Sequence, residues 1–282
     1  MKKPLFNKVC IVGVGLIGGS VGMAIKKQGL AETVVGVVRS NKTGQLAKEK
    51  KAIEDFTLNL REGIEGADLI ILAAPVLTII QHIKEIGRLK NILKDESIVI
   101  DVGSSKGFIC AAADRYLKGI QFVGCHPMAG SEKSGIMNAS ADLFEKSACI
   151  LSMHHDKVGK LWKAVGVFQI FPLPPEQHDL LVARYSHLPH VSAFAQSQKV
   201  DQATLLGINP SFRSVLRLAK SNPLVWSSIF VSNRKAIRSV LKEHLKSLQE
   251  FDKMLKRNDR AEIRNFLLKA CKNAIYSLPN DK

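Results

Sequence analysis

The sequence predicts an α/β fold in which a doubly wound, mostly parallel sheet is followed by an all-α C-terminal domain. Three observations lead to this prediction. Short β-rich runs alternate with helical patterns early in the chain, several of these runs are apolar on both faces, and the β signal disappears after Phe171. Alternating strands and helices are typical of parallel sheets, whose strands are buried on both faces.

Six segments are expected to form the sheet. They span residues 8–12, 33–38, 69–73, 97–101, 121–124 and 148–152. Each is short and rich in β-branched or other apolar residues, and helical patterns separate most of them.

A proline cluster marks the predicted domain boundary. Pro172, Pro174 and Pro175 stand close together, and proline suits a connection better than the interior of an element. We therefore expect an α/β domain over residues 1–172 and a helical domain over residues 173–282.

Helix signals dominate the second part. Asn222 is a good N-cap, and Pro223 suits the first helical position. Apolar residues then recur at helical spacing: Val225, Trp226, Ile229, Phe230, Ile237, Val240, Leu241, Leu245 and Leu248. Asp259 and Glu262 resemble a capping box that opens a last helix, and Pro279 ends it. Apolar stripes on long helices of a small domain often pack against a second copy, so we expect a homodimer formed through the helical domain.

Composition narrows the function classes. The 282 residues include 41 Lys and Arg against 25 Asp and Glu, a formal charge of +16. The excess is spread over both halves without an RNA-binding motif or an aromatic-rich basic stretch, so we interpret it as a field that attracts small anions rather than a nucleic-acid surface. No apolar run approaches the ~20 residues that a bilayer requires, so no membrane partner is expected.

The cysteines indicate the compartment. They are odd in number, scattered and never in a CxxC pair: Cys10, Cys110, Cys125, Cys149 and Cys271. This pattern fits neither a disulfide framework nor a zinc site. The glycine-interrupted apolar stretch near the N-terminus is a poor secretion signal, so we expect a cytoplasmic protein.

A glycine loop follows the first predicted strand. Residues 13–19 read GVGLIGG, so Gly13, Gly15 and Gly18 form a GxGxxG pattern between a strand and a helix. This pattern is weak alone, but in this context it is typical of a Rossmann-type dinucleotide site: Gly13 allows the tight turn, Gly15 admits a pyrophosphate and Gly18 lets the helix pack closely. Further cofactor contacts are expected at four residues: Leu16, Ile17, Ala74 and Pro75. A glycine turn that binds nothing is the alternative.

The residues at the end of the second predicted strand indicate which nicotinamide cofactor binds. NAD-binding sites normally carry Asp or Glu there, whereas this chain has Arg39 and Ser40, followed by Lys42 and Thr43. A guanidinium and hydroxyls can bind a 2′-phosphate, so we favour NADP over NAD. Alternatively, Arg39 is a solvated cation that stacks on the adenine.

A second loop carries most of the predicted chemistry. Residues 126–135 read HPMAGSEKSG, and His126 leaves a strand at its carboxyl end, where open α/β sheets bind ligands. A neutral imidazole is a suitable base there. Considered alone, a histidine before a proline is more often structural.

This loop closely resembles the signature of the prephenate and arogenate dehydrogenases, the cyclohexadienyl dehydrogenase family of tyrosine biosynthesis. Three further segments resemble that family: DVGSSK at 101–106, SHLPH at 186–190 and RLAKSNPLVW at 217–226. Together with the glycine loop, these segments cover the chain from about residue 8 to residue 230.

The resemblance implies roles for particular residues. His126 is then the catalytic histidine, and Ser104 is the hydroxyl that orients it near the nicotinamide. Arg217 corresponds to the arginine that holds a substrate carboxylate. His187, His190 and Glu132 correspond to residues that line the substrate pocket.

The resemblance also implies the reaction. The substrate is a small dianionic cyclohexadienyl compound, prephenate or arogenate, from which hydride leaves C4 for NADP or NAD while CO₂ leaves C1. His126 accepts the proton of the 4-hydroxyl, and no metal is required because the cofactor is the electron sink. The sequence is compatible with either the pyruvyl or the alanyl side chain of the substrate.

Each assigned residue has an alternative role. Ser104 could cap a helix starting near Ser105, alone or in addition to catalysis. His187 and His190 could be packed histidines or, less plausibly without a third ligand, a metal pair. Arg213 lies one turn from Arg217, so either could be the surface residue. Trp226 could belong to the core or the pocket wall, and Glu132 with Lys133 could be a solvated pair.

Two rival functions remain. Another two-domain Rossmann dehydrogenase, such as a β-hydroxyacid dehydrogenase or an imine reductase, would share the glycine loop but would leave HPMAGSEKSG unexplained. A catalytically silent NADP-binding protein could use the same fold. The combination of Ser104, His126 and Arg217 argues against a silent binder.

Overall fold

A computed structural model describes residues 3–130, 133–198, 200–201 and 209–277, with the side chains of 275–277 excepted. The described strands are β1 (Phe6–Val12), β2 (Ala31–Val37), β3 (Asp55–Thr57), β4 (Leu69–Leu72), β5 (Ile98–Asp101), β6 (Gln121–Pro127), β7 (Ala148–Leu151) and β8 (Gln169–Pro172). The sheet order is β3-β2-β1-β4-β5-β6-β7-β8. Only the β6–β7 pair is antiparallel in this sheet.

Helices connect the strands on both faces. They are α1 (Leu16–Lys27), α2 (Asn41–Glu49), α3 (Leu60–Ile64), α4 (Val76–Arg88), α5 (Gly107–Tyr116) and α6 (Asp156–Ala164). β4 and β5 are buried along their whole length, as parallel strands covered on both faces must be. The predicted doubly wound sheet is confirmed, with one apolar cluster on each face.

The prediction missed two strands. β3 is three residues long, and β8 contributes only residues 169–172 at the sheet edge, so neither produces a recognisable hydrophobic period. Pro172, which we assigned to a connection, is the last residue of β8 and pairs with Leu151. An edge position tolerates proline because one side of the strand needs no ladder hydrogen bonds.

After β8 the described residues are helical. The elements are α7 (Pro175–Val182), a π-helical turn (Ala183–His187), α8 (Leu188–Ser197), α9 (Pro210–Ala219), α10 (Pro223–Ser232), α11 (Arg234–Lys256) and α12 (Arg260–Ser277). The predicted caps at Asn222 and Asp259 are confirmed, but the capping box is not complete, because the Glu262 carboxylate pairs with Arg257 instead of the Asp259 N–H. The side chain of Asn222 accepts the backbone N–H groups of Leu224 and Val225, and Asp259 accepts that of Glu262. Pro279 lies outside the described residues.

Internal contacts divide the chain into two units, Met1–Arg234 and Lys235–Lys282. The first unit contains the sheet and the helices up to α10. The second contains most of α11 and all of α12. This division at 234/235 does not test the predicted domain boundary at 172/173, which stays a prediction.

Candidate active site

A cavity of about 540 Å³ opens at the carboxyl end of the sheet, within the first unit. Its walls include the residues that directly follow β4, β5 and β6 and the start of α1. The strand order reverses between β1 and β4, and open α/β sheets bind ligands at such a switch point. The topology therefore places the predicted loops around one cleft.

The glycine loop has the shape that a phosphate group requires. Gly13 has a φ of +97°, and a Cβ there would lie 2.7 Å from the carbonyl oxygen of Ala73. A Cβ on Gly18 would lie 2.1 Å from the carbonyl oxygen of Gly13. A Cβ on Gly15 would meet nothing within 4 Å, so this side of the loop is open.

The start of α1 fits an anion. Gly15 is its N-cap and provides no side-chain acceptor, and the first turn contains no acidic residue. The first N–H groups of this helix therefore remain available for a pyrophosphate. Four of the expected cofactor contacts line the cavity: Leu16, Ile17, Ala74 and Pro75.

Arg39 and Ser40 lie beyond the cavity lining, after the end of β2. Arg39 is exposed, and the Ser40 hydroxyl caps α2 by accepting the backbone N–H of Thr43 at 3.3 Å. The hydroxyls of Ser40 and Thr43 are 3.1 Å apart. The exposed Arg39 and the start of α2 together form a local site suited to an anion.

His126 lies at the end of β6 and lines the cavity. Its Nδ1 is 2.8 Å from Nε2 of His178, and Nδ1 of His178 is 2.9 Å from the Asp179 carboxylate. Burial holds the pKa of His126 well below its ordinary value, and the nearby charges of His178, Lys106 and His187 act in the same direction. The imidazole is therefore neutral near pH 7, as a base must be.

Ser104 lines the same cavity, but in the described part of the chain it forms no hydrogen bond with His126. Its alternative role as a helix cap is wrong. α5 begins at Gly107, and no local side chain caps it. The carboxylate of Asp179 instead accepts the N–H groups of Lys106 and Gly107, at 2.7 and 2.9 Å.

Behind His126 lies a buried ion pair between Asp101 and Lys106. The Lys106 ammonium also donates to the carbonyl oxygen of Cys125 at 2.8 Å. Asp101 accepts the N–H groups of Gly103 and Cys125. The pair thus connects the end of β5 to the residue that precedes His126.

The histidines of the SHLPH segment form one wall with Trp226. The His190 ring stacks on Trp226 with centroids 3.6 Å apart, and His187 contacts Trp226 edge-on at 5.9 Å. His190 donates its Nδ1–H to the carbonyl oxygen of Ser186 at 2.9 Å. His187 accepts a hydrogen bond from Asn233 at 3.1 Å, which occupies one of its ring nitrogens.

Arg217 and Arg213 differ in placement. Both are exposed on α9, but only Arg217 is among the described residues that line the cavity. Its positive charge contributes to lowering the pKa of His190, after the larger effect of burial. Arg217 therefore faces the same space as the SHLPH wall. Glu132, the remaining expected pocket residue, lies outside the described residues.

His178, Asp179 and the burial of Lys106 were not predicted from the sequence. His178 and Asp179 are the fourth and fifth residues of α7, just after the proline cluster, where adjacent polar residues are typical of a solvated helix start. Their position near the first turn of a helix was the one sequence feature that could have pointed to a functional role. Their burial and their contact with His126 arise from tertiary packing.

No described helix is both long and apolar enough to cross a membrane.

Comparison with known proteins identifies the family. Residues 21–167 match the family model "Prephenate dehydrogenase, nucleotide-binding domain", and residues 174–269 match "Prephenate dehydrogenase, dimerization domain". The prephenate dehydrogenase of Lactococcus lactis is 30% identical over 271 residues, which cover 92% of this chain and 74% of that protein.

Two solved structures extend the similarity. The prephenate dehydrogenase of Aquifex aeolicus in complex with hydroxyphenyl propionate and NAD⁺ has a TM-score of 0.85 at 28% identity and covers 96% of this chain and 98% of its own. Synechocystis arogenate dehydrogenase has a TM-score of 0.78 at 25% identity, with 96% and 100% covered. From the matched models, the sequence identity and the shared fold, we conclude that this chain belongs to the prephenate dehydrogenase family and is an oxidoreductase.

Proposed function

We propose that this protein catalyses the oxidative decarboxylation of prephenate, arogenate or both, in tyrosine biosynthesis. The observation that carries the proposal is one cavity lined by a neutral imidazole, His126, and a guanidinium, Arg217, with the start of α1 at its edge. A base, a carboxylate ligand and a dinucleotide site are the groups that this reaction needs. The named activities of the similar proteins support the same reaction.

The chemistry follows from these side chains. Nε2 of His126 takes the proton of the substrate 4-hydroxyl as the hydride leaves C4, a general-base contribution of roughly 10² to 10⁴ in rate. The nicotinamide supplies the hydride acceptor. The bond between C1 and its carboxylate breaks, the electron pair enters the ring, and His126 returns the proton to the phenol oxygen. The products are 4-hydroxyphenylpyruvate from prephenate or tyrosine from arogenate.

Substrate binding is assigned to Arg217 and the wall formed by the SHLPH segment. Arg217 holds a carboxylate through paired N–H donors, a geometry that lysine cannot provide. His190 stacks on Trp226 in the same cavity wall, and His187 meets Trp226 edge-on. Ser104 and Glu132 keep their expected roles as orienting and pocket residues.

NADP is the favoured cofactor. Arg39 is exposed at the end of β2, where an acidic residue would repel a 2′-phosphate, and α2 starts beside it without an acidic residue in its first turn. The guanidinium and the first turn of the helix therefore favour a phosphate at this position.

The assembly proposed is a homodimer. Leucine side chains in the second unit are about half exposed: Leu245, Leu248, Leu255, Leu267 and Leu268. A second copy would bury such apolar surface. Light scattering of the purified protein should give twice the chain mass. The reducing cytoplasmic compartment is proposed from the odd number and scattered spacing of the cysteines.

The direct test crosses prephenate and arogenate with NADP⁺ and NAD⁺ and follows the absorbance of the reduced nicotinamide. We expect turnover with at least one substrate, and NADP⁺ as the better cofactor. His126→Asn should bind the cofactor normally and lose at least about a hundredfold in turnover. Cofactor binding without turnover of either substrate would favour the silent binder or another dehydrogenase.

A further inference from the structure

Three side chains form a hydrogen-bonded row that begins at the cavity and ends inside the protein. His126 contacts His178 through Nδ1 and Nε2 at 2.8 Å, and His178 contacts Asp179 through its own Nδ1 at 2.9 Å. The two rings meet edge to face, with an interplanar angle of 62°. His178 is fully buried.

The Asp179 carboxylate fixes the direction of every bond in this row. It also receives the backbone N–H groups of Lys106 and Gly107. Burial alone would raise the pKa of Asp179, but the hydrogen bonds from His178 and from these two amides outweigh burial and lower it. The carboxylate is therefore ionised and accepts, so Nδ1 of His178 must carry a proton.

The tautomers of both rings follow. Burial lowers the pKa of His178, so its ring is neutral and its Nε2 carries only a lone pair. The bond at 2.8 Å then requires that His126 donates its Nδ1–H. Nε2 of His126 is left as the unprotonated nitrogen of the ring.

We propose that His178 and Asp179 are positioning residues that hold His126 in the Nδ1–H tautomer and stabilise the imidazolium formed when Nε2 accepts the substrate proton. This inference rests on the proposed function. The row of side chains explains how His126 can still accept a proton although it is buried and lies near the Lys106 ammonium. The positive charge on His126 is met by the lone pair of His178, and the Asp179 carboxylate lies behind it.

The role is best tested at His178, because Asp179 also holds the start of α5. His178→Leu removes the acceptor and keeps an apolar side chain of similar bulk. His178→Gln keeps an oxygen that can accept the Nδ1–H of His126, so it is the matched conservative variant. We expect His178→Leu to lower kcat at least about a hundredfold, with KM changed by less than about threefold, and His178→Gln to stay within about tenfold of the wild type.

Nitrogen-15 NMR of the ring nitrogens provides a readout that does not depend on turnover. In the free wild-type protein, His126 should show a protonated Nδ1 and an unprotonated Nε2. His178→Gln should preserve this pattern, and His178→Leu should shift the ring toward protonation at Nε2. A solely structural role for His178 predicts no change of tautomer in folded protein.

A wild-type His126 protonated at Nε2 would overturn the inference. So would a folded His178→Leu variant with unchanged ring signals and unchanged kcat. If His178→Leu fails to fold, the spectra of the wild type and of His178→Gln still show which nitrogen of His126 carries the proton. If the tautomer is as expected but neither prephenate nor arogenate is oxidised, the proposed function fails while the positioning of His126 stands.

Discussion

The carboxylate of Asp101 and the ammonium of Lys106 form an ion pair in which both side chains are fully buried. The pair joins the end of β5 to β6 directly behind His126. Buried charges are tolerated only when they are paired and hydrogen-bonded, so each partner depends on the other.

Replacing Lys106 with Ala should lower the free energy of unfolding by about 3–5 kcal/mol, because it leaves the Asp101 carboxylate buried without a counter-charge. Lys48→Ala breaks the exposed pair with Asp55 and serves as the control, with an expected loss of at most about 1 kcal/mol. Denaturant unfolding measures both. Equal losses of unfolding free energy in the two variants would show that the buried pair stabilises the fold no more than the exposed pair does.

Stability should fall as the pH drops below about 6.5, because buried histidines resist protonation. Burial lowers the pKa of His187 from 6.5 to about 4. Above pH 6.5 this residue is neutral in both states and contributes no pH dependence. As the pH falls toward 4, His187 becomes protonated in the unfolded chain but stays neutral in the folded chain. The folded state therefore loses roughly 3 kcal/mol, and below pH 4 this residue costs nothing more.

His187→Gln should remove that part of the acid destabilisation, since the amide oxygen can still accept the hydrogen bond from Asn233. Unfolding curves recorded at several pH values check the slope. His154→Gln, at an exposed position, is the control for losing a histidine. A slope that is the same in His187→Gln as in the wild type would contradict the expectation.

Arg217→Ala should chiefly raise the KM for the substrate, by tenfold or more as a rough estimate for a lost charge-assisted contact. Arg213→Ala is the matched control, since it removes the same charge from the same helix outside the cavity lining. Steady-state kinetics with prephenate measure both. An unchanged KM in Arg217→Ala would remove this residue from the pocket.

Arg39→Asp should reverse the cofactor preference. The KM for NADP⁺ should rise roughly a hundredfold, because a guanidinium is lost and a carboxylate repels the 2′-phosphate, while NAD⁺ should gain a ribose acceptor. Arg88→Asp makes the same charge change at the exposed end of α4 and should leave both values near wild type. If Arg39→Asp leaves the NADP⁺ value unaltered, the 2′-phosphate lies elsewhere.

Gly18→Ala should impair cofactor binding, because its Cβ would lie 2.1 Å from a backbone oxygen and 2.9 Å from the Cβ of Ala73. The loop must shift, at an expected cost of about 1–3 kcal/mol in stability. Gly159→Ala on α6 meets nothing within 4 Å and should be neutral or stabilising by up to about 1 kcal/mol. Calorimetry with NADP⁺ and denaturant unfolding distinguish the two variants.

Strand patterns were predictable where the hydrophobic signal is strong. The runs at β1, β4 and β5 are continuous and apolar because both faces are covered, and this local property survives in the sequence. β3 and β8 lacked such a signal, since edge strands are short and partly exposed. The alternative role of Ser104 as a helix cap came from local propensity, which the Asp179 carboxylate on α7 overrides.

The parallel sheet, the glycine loop, the family resemblance and the candidate residues His126 and Arg217 could all be predicted from the amino-acid sequence, because periodicity, backbone sterics and a specific loop are local. The contact of His178 and Asp179 with His126 and the burial of Lys106 against Asp101 became visible only in the folded chain. The two histidines are 52 residues apart along the chain, and the packing of α7 against the start of α5 brings them together. Lys106 and Asp101 are close in sequence, but their burial depends on β6, where Lys106 donates to the carbonyl oxygen of Cys125.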